Sequence, residues 1–127
     1  MPSIGVCFYQ EASGEVPVLE WLRDLRRRDR RAYAKCVARI ERLAELGNEL
    51  RRPEADFLRD GIYELRARKG RVQYRILYFF HGRDIALLAQ ALTKEGRVPA
   101  AAIDRAVRFK NAVEKDPSAH IYEEGDV

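Results

Sequence analysis

Residues 61–99, GIYELRARKGRVQYRILYFFHGRDIALLAQALTKEGRVP, constrain the fold more than any other stretch. They read as three consecutive antiparallel strands that end at a helix start. Two short turns, at Lys69-Gly70 and near Gly82-Arg83, divide them. Antiparallel neighbours need connections that tight, and glycine supplies the positive φ they require. Placing Arg68 opposite Arg71 sets Glu64 against Arg75 and Arg66 against Gln73. Placing His81 opposite Asp84 sets Gln90 against Arg75 and Leu92 against Gln73. Paired residues share a face and successive residues alternate. One face then carries Glu64, Arg66, Arg68, Arg71, Gln73, Arg75, Gln90 and Lys94; it is basic toward the first turn and apolar near Ile62, Leu77 and Leu88. The other face carries Tyr63, Leu65, Ala67, Val72, Tyr74, Ile76 and Tyr78 and belongs to the core. A slip of one residue would exchange the two faces.

The rest of the chain supplies what covers this sheet. Residues 4–9 alternate as a short strand, with Ile4, Val6 and Phe8 on one side and Cys7 and Tyr9 on the other. Residues 16–25 read as a helix with Pro17 in its first turn. Asp29 is placed to cap a second helix that runs to about Leu46, where Gly47-Asn48 stops it. Tyr33, Cys36, Val37, Ile40, Leu43 and Ala44 give that helix an apolar stripe, and arginines fill its opposite side. Residues 49–60 read as a connector whose Phe57 and Leu58 tuck toward the core. Pro99 opens a last helix to about Lys115, with Ala102, Ala106, Phe109 and Val113 on one side. The expected order is β-α-α-β-β-β-α, an α+β domain in which helices pack on one face of an antiparallel meander. Residues 1–117 form the single expected domain, and 118–127 an acidic C-terminal tail.

At 127 residues the chain can bury one core. Lysine and arginine number 24 against 20 acids, a net charge of +4, and their distribution matters more than the sum. Arginines crowd the segment 23–59, while Glu114, Asp116, Glu123, Glu124 and Asp126 collect at the end. A basic body points to an anionic partner, nucleic acid being the commonest; a solvated helix face is the alternative for the helical arginines. Cys7 and Cys36 lie far apart with only His81 and His120 as possible companions. A structural zinc site needs about four such ligands, so no metal is expected and both thiols read as buried and free. No basic leader or long apolar run is visible, which predicts a cytoplasmic protein with no membrane partner.

Four segments together resemble the RelE/ParE superfamily of toxins, and within it the phage-derived HigB-like branch. They are Trp21-Leu22 before the arginine-rich helix, GIYELR at 61–66, YRILYFF at 74–80 and LTKEGRVP at 92–99. AAAIDRAVRFKNAV at 100–113 is similar to the last helix of that branch. The resemblance implies a RelE-like fold and a toxin of a type II toxin–antitoxin pair. It further implies a ribosome-dependent mRNA endonuclease that inhibits translation, cutting without metal or other cofactor as a ribose 2′-hydroxyl attacks the adjacent phosphate. The implied partners are the ribosome, mRNA and a cognate antitoxin, often a helix-turn-helix protein. ParE members share the fold and instead poison DNA gyrase. An inactive phage-derived protein that only binds its partner is a third reading.

Such cleavage needs charge stabilised on the phosphorane, a proton taken from the 2′-hydroxyl and a proton given to the leaving oxygen. Arg66 and Arg75 match the arginines of the two strand motifs, and a guanidinium grips phosphate oxygens bidentately without titrating. The alternative for Arg75 is a structural pair with Glu64. Lys94 and Arg97 match a basic segment before the last helix, although the usual paired lysines are replaced here by Thr93-Lys94. Lys94 serves as an acid or base only if neighbouring positive charge lowers its pKa. His120 and Tyr122 match C-terminal residues that some HigB-like enzymes place at the scissile phosphate. Arg68, Arg71 and Gln73 on the sheet, and Arg27, Arg28 and Arg31 on the helices, are the candidates for gripping RNA, with sequence-blind and salt-dependent affinity.

Overall fold

A computed structural model of the protein describes residues 4–93 and 96–124. In chain order the elements are strand β1 (Gly5–Tyr9), helices α1 (Pro17–Arg28) and α2 (Arg30–Leu46), and a 3-10 turn at Gly47–Glu49. Strands β2 (Ala55–Arg59), β3 (Ile62–Lys69), β4 (Val72–His81) and β5 (Ile85–Thr93) follow. Helices α3 (Ala100–Lys115) and α4 (Pro117–His120) and strand β6 (Ile121–Tyr122) complete the chain. The six strands lie in the order β2-β3-β4-β5-β1-β6. β1 runs parallel to β5, and every other pairing is antiparallel.

The expected α+β class holds, but the sheet is larger and mixed. The segment 49–60 is not only a connector: Ala55–Arg59 forms the edge strand β2. Asp60 and Gly61 close the β2–β3 hairpin with φ of 52° and 81°. Two consecutive positive φ values are what a tight hairpin turn requires, and Asp-Gly is a favoured pair for it. The C-terminal segment also adds structure. Ile121 and Tyr122 pair with Tyr9 and Phe8 across the edge of β1.

The β3–β4 register lies two residues from the expected one, with Arg66 opposite Arg75 and Lys69 opposite Val72. A two-residue slip leaves each side chain on its expected face. The β4–β5 pairing contains a bulge between Leu77 and Tyr78. Beyond the bulge Leu77 faces Gln90 and Arg75 faces Leu92, so this half keeps its expected faces. Toward the turn the pairing is one residue out, and Leu88 lies opposite Tyr78. Leu88 therefore belongs to the core under α1 and α2, not to the face of Leu77, and Leu87 takes the other side.

Helices cover both faces, which corrects the expected one-sided packing. On one face Leu22, Leu25, Cys36, Ile40 and Leu43 of α1 and α2 meet Leu65, Ile76, Tyr78 and Leu88. On the other, Ile103, Ala106, Phe109 and Val113 of α3 meet Ile62, Leu77, Phe79 and Leu87. Tyr9 stacks on Phe109 with ring centroids 4.0 Å apart. Each large apolar side chain buried this way contributes about 1.5–3 kcal/mol. Asp29 caps α2 through Ala32, as its position implies, and its carboxylate also takes Lys69 of β3 at 2.5 Å. Both cysteines are buried and free, and burial pushes the Cys36 thiol up to about 12. No helix among the described residues is long and apolar enough to cross a membrane.

Candidate functional site

α3 covers only part of its sheet face. Between its first turn, the β2 edge and the basic half of β3 and β4 lies a cleft of about 630 Å³. Its polar wall is Arg66, Arg75, Glu64, Asp56, Arg59 and Arg97. Its apolar wall is Phe57, Leu58, Val98 and Ile103. Strand alternation explains the polar wall: Arg66 and Arg75 are directly paired and so share a face.

A chain of ion pairs runs across this wall. Arg75 Nη2 donates to the Gly96 carbonyl at 2.6 Å, and Nη1 to Glu64 Oε1 at 2.7 Å. Arg66 Nη2 donates to the second oxygen, Glu64 Oε2, at 3.0 Å and reaches Asp56 Oδ2 at 3.3 Å. Arg52 meets that same Asp56 oxygen at 2.9 Å. Glu64 is only 2% exposed and Arg75 7%. Charges removed from water this completely persist because both carboxylate oxygens are satisfied. Arg75 thus ties three parts together: its own strand, β3 through Glu64, and the segment leading into α3 through Gly96. The expected Glu64–Arg75 pair is present, but along a diagonal, since Glu64 lies opposite Leu77.

Two cations remain available to a ligand. Arg97 is exposed and makes no ion pair with a described residue. Arg66 carries a buried Nε with no hydrogen-bond partner among the described residues. A buried donor left unmade costs about 1–3 kcal/mol. The Arg66 side chain as a whole is 31% exposed and lines the cleft, so an anion there meets its guanidinium edge rather than that Nε. The cleft thus sets exposed positive charge beside an apolar wall.

The other sequence-predicted residues divide into three groups. Arg68 and Gln73 are paired toward the β3–β4 turn on the cleft's face of the sheet, Arg71 lies in the turn itself, and Arg68 Nε donates to the Gly70 carbonyl at 2.9 Å. Arg27, Arg28 and Arg31 ride on α1 and α2, which cover the opposite face; Arg27 and Arg28 both pair with Asp24, at 3.2 and 2.7 Å. His120 and Tyr122 lie on the far edge, three strands or roughly 14 Å from β4. There His120 Nδ1 contacts the Gln10 carbonyl at 2.8 Å, and the Tyr122 hydroxyl donates to Glu124 at 2.9 Å. Lys94 lies outside the described residues. Asp56, Phe57, Leu58 and Arg59 also line the cleft, carried by strand β2 where a connector is expected. The Asp60-Gly61 pair was the signal for the strand that carries them.

The acids around the cleft foretell its pH behaviour. The hydrogen bond from Arg52 holds the Asp56 carboxyl below its ordinary range, and nearby Glu54 is lowered first by its hydrogen bond from Arg42. A depressed folded pKa contributes stability that is full above the unfolded value, about 4, and is lost as pH falls through the folded one. The melting temperature is therefore expected to hold from pH 7 to about 5 and to fall below about 4. Asp56→Asn removes part of that acid slope, a change that thermal melts across the pH series detect.

The family model described as Phage derived protein Gp49-like (DUF891) matches residues 20–111, from α1 into α3, and so takes in the whole polar wall of the cleft. No curated protein matches the chain. A match over well over half of the length settles membership: the chain belongs to the Gp49-like phage-derived family, a family of RelE-like toxins.

Proposed function

We propose that this protein is the toxin of a type II toxin–antitoxin pair, of the HigB-like branch, and that it cleaves mRNA on the ribosome. The observation that carries this reading is the open cleft that the exposed Arg97 and the partly exposed Arg66 line beside an apolar wall. In the proposed reaction the ribose 2′-oxygen attacks the neighbouring phosphorus and the bond to the 5′-oxygen breaks. The products are a 2′,3′-cyclic phosphate and a free 5′-hydroxyl. One proton leaves the 2′-hydroxyl and one joins the departing oxygen. Charge accumulates on the non-bridging oxygens between these events, and fixed guanidinium donors stabilise it without reorganising. Arg66 and Arg97 take that role. Arg75 positions them, through Glu64 and through the Gly96 segment. The antitoxin, a helix-turn-helix protein in this reading, would neutralise the toxin by covering the basic surface.

A gyrase inhibitor that cuts nothing is the second reading, and one observation favours it. Both carboxylates of the polar wall, Glu64 and Asp56, are already held by arginines, so neither stands free to meet a substrate hydroxyl. Induction in a growing bacterium separates the two readings. Endonuclease action stops amino-acid incorporation within minutes while DNA stays intact. DNA-damage signalling with continued translation would instead favour gyrase.

A further inference from the structure

A second cleft, of about 480 Å³, lies around the outer edge of β2 from the first. Leu50, Arg51, Arg52, Asp56, Phe57 and Tyr63 line it, and Asp56 and Phe57 line both clefts. The two spaces are therefore neighbours across a ridge made by one strand. Phe57 on that ridge is 53% exposed. Val72 is the other exposed large hydrophobic among the described residues, and it has no ring.

Phe57 is held in place despite its exposure. Its backbone pairs with Tyr63, and the two rings meet edge-on at 5.1 Å and 69°. Tyr63 is in turn stacked on Tyr78 at 5.4 Å. The Asp56 carboxylate accepts from the Phe57 backbone N–H at 3.0 Å. Arg51 is tethered to the rim by the carbonyls of Asn48 and Leu50. The Arg52 side chain is 75% exposed and spends a single guanidinium nitrogen on Asp56. A rigid aromatic surface between cations is the arrangement by which proteins hold single-stranded nucleic acid, since every base offers a face to stack and every backbone unit a charge.

We infer that this second cleft holds an unpaired nucleobase of the RNA, stacked on Phe57, next to the phosphate held by Arg66 and Arg97 in the first cleft. The inference rests on the endonuclease reading and adds a subsite to it. Phe57 positions the strand; it does not take part in the bond changes. The strand crosses the β2 edge between two consecutive nucleotides, so a lost ring frees the scissile phosphate to shift.

The test maps RNA 5′ ends after induction of wild type, Phe57→Ala, Phe57→Leu and Phe57→Trp at matched protein levels. Stacking on one base predicts roughly 5- to 150-fold fewer cuts for Phe57→Ala and Phe57→Leu. Phe57→Trp should cut within a few-fold of wild type. Melting temperatures should fall by no more than a few degrees in Phe57→Ala and Phe57→Leu, because the ring is half exposed and only its edge contact with Tyr63 is lost. Wild-type cutting by Phe57→Ala, or by Phe57→Leu, would overturn the base subsite alone and would turn the ridge over to a purely apolar contact such as an antitoxin peptide. Growth arrest by wild type with no RNA cuts would overturn the endonuclease reading and this inference together.

Discussion

Arg75→Ala is expected to destabilise the protein by about 3–5 kcal/mol, the range measured when one partner of a buried ion pair is removed. Without Arg75, Glu64 keeps a single Arg66 nitrogen on one oxygen, and its second oxygen is left in a water-poor site. The Gly96 carbonyl loses its donor as well. Urea denaturation of the purified variant measures the loss. Changing both members to apolar residues, Glu64→Leu with Arg75→Met, should recover a large part of it, because no charge is then buried alone. A double variant no more stable than Arg75→Ala would contradict the account of the pair. Loss of toxicity in Arg75→Ala would therefore say little about catalysis by itself, since unfolding has the same phenotype.

Arg97→Ala carries the largest expected effect on activity with the smallest on stability. The residue is exposed, and none of the described residues pairs with it. Surface changes of this kind stay within about 0.5 kcal/mol. Loss of one preorganised donor to a developing oxyanion lowers the rate by about 100- to 1,000-fold. The cut frequency in translated mRNA should fall by that order while the urea midpoint does not move. Arg97→Lys should restore part of the activity, since charge returns without the planar fork.

Much of this site is legible in the chain. The alternation of GIYELRAR against RVQYRILY put Glu64, Arg66 and Arg75 on one face, and the two-residue slip left that untouched. What periodicity could not show was the bulge at Leu77-Tyr78, which exchanged the faces of Leu87 and Leu88. Strand β2 was hidden because ADFLR is short, follows Pro53 and alternates weakly, although Asp60-Gly61 announced a hairpin. The place of α3 followed from features already visible: its apolar stripe, and the apolar patch of Ile62 and Leu77 on the sheet's second face. Periodicity gives each patch but not which one the other covers. The division of labour among arginines was beyond sequence reasoning. Burial decides which guanidinium holds the fold and which faces a ligand, and burial depends on where Gly96 and the start of α3 come to rest.

The most direct test of the central claim maps mRNA 5′ ends after induction of wild type beside Arg97→Ala, with and without a block of translation. The account requires new 5′-hydroxyl ends inside translated frames, about 100-fold fewer in a stably folded Arg97→Ala, and none when ribosomes are stopped. An unchanged set of ends in wild type, or equal cutting by Arg97→Ala, would contradict it.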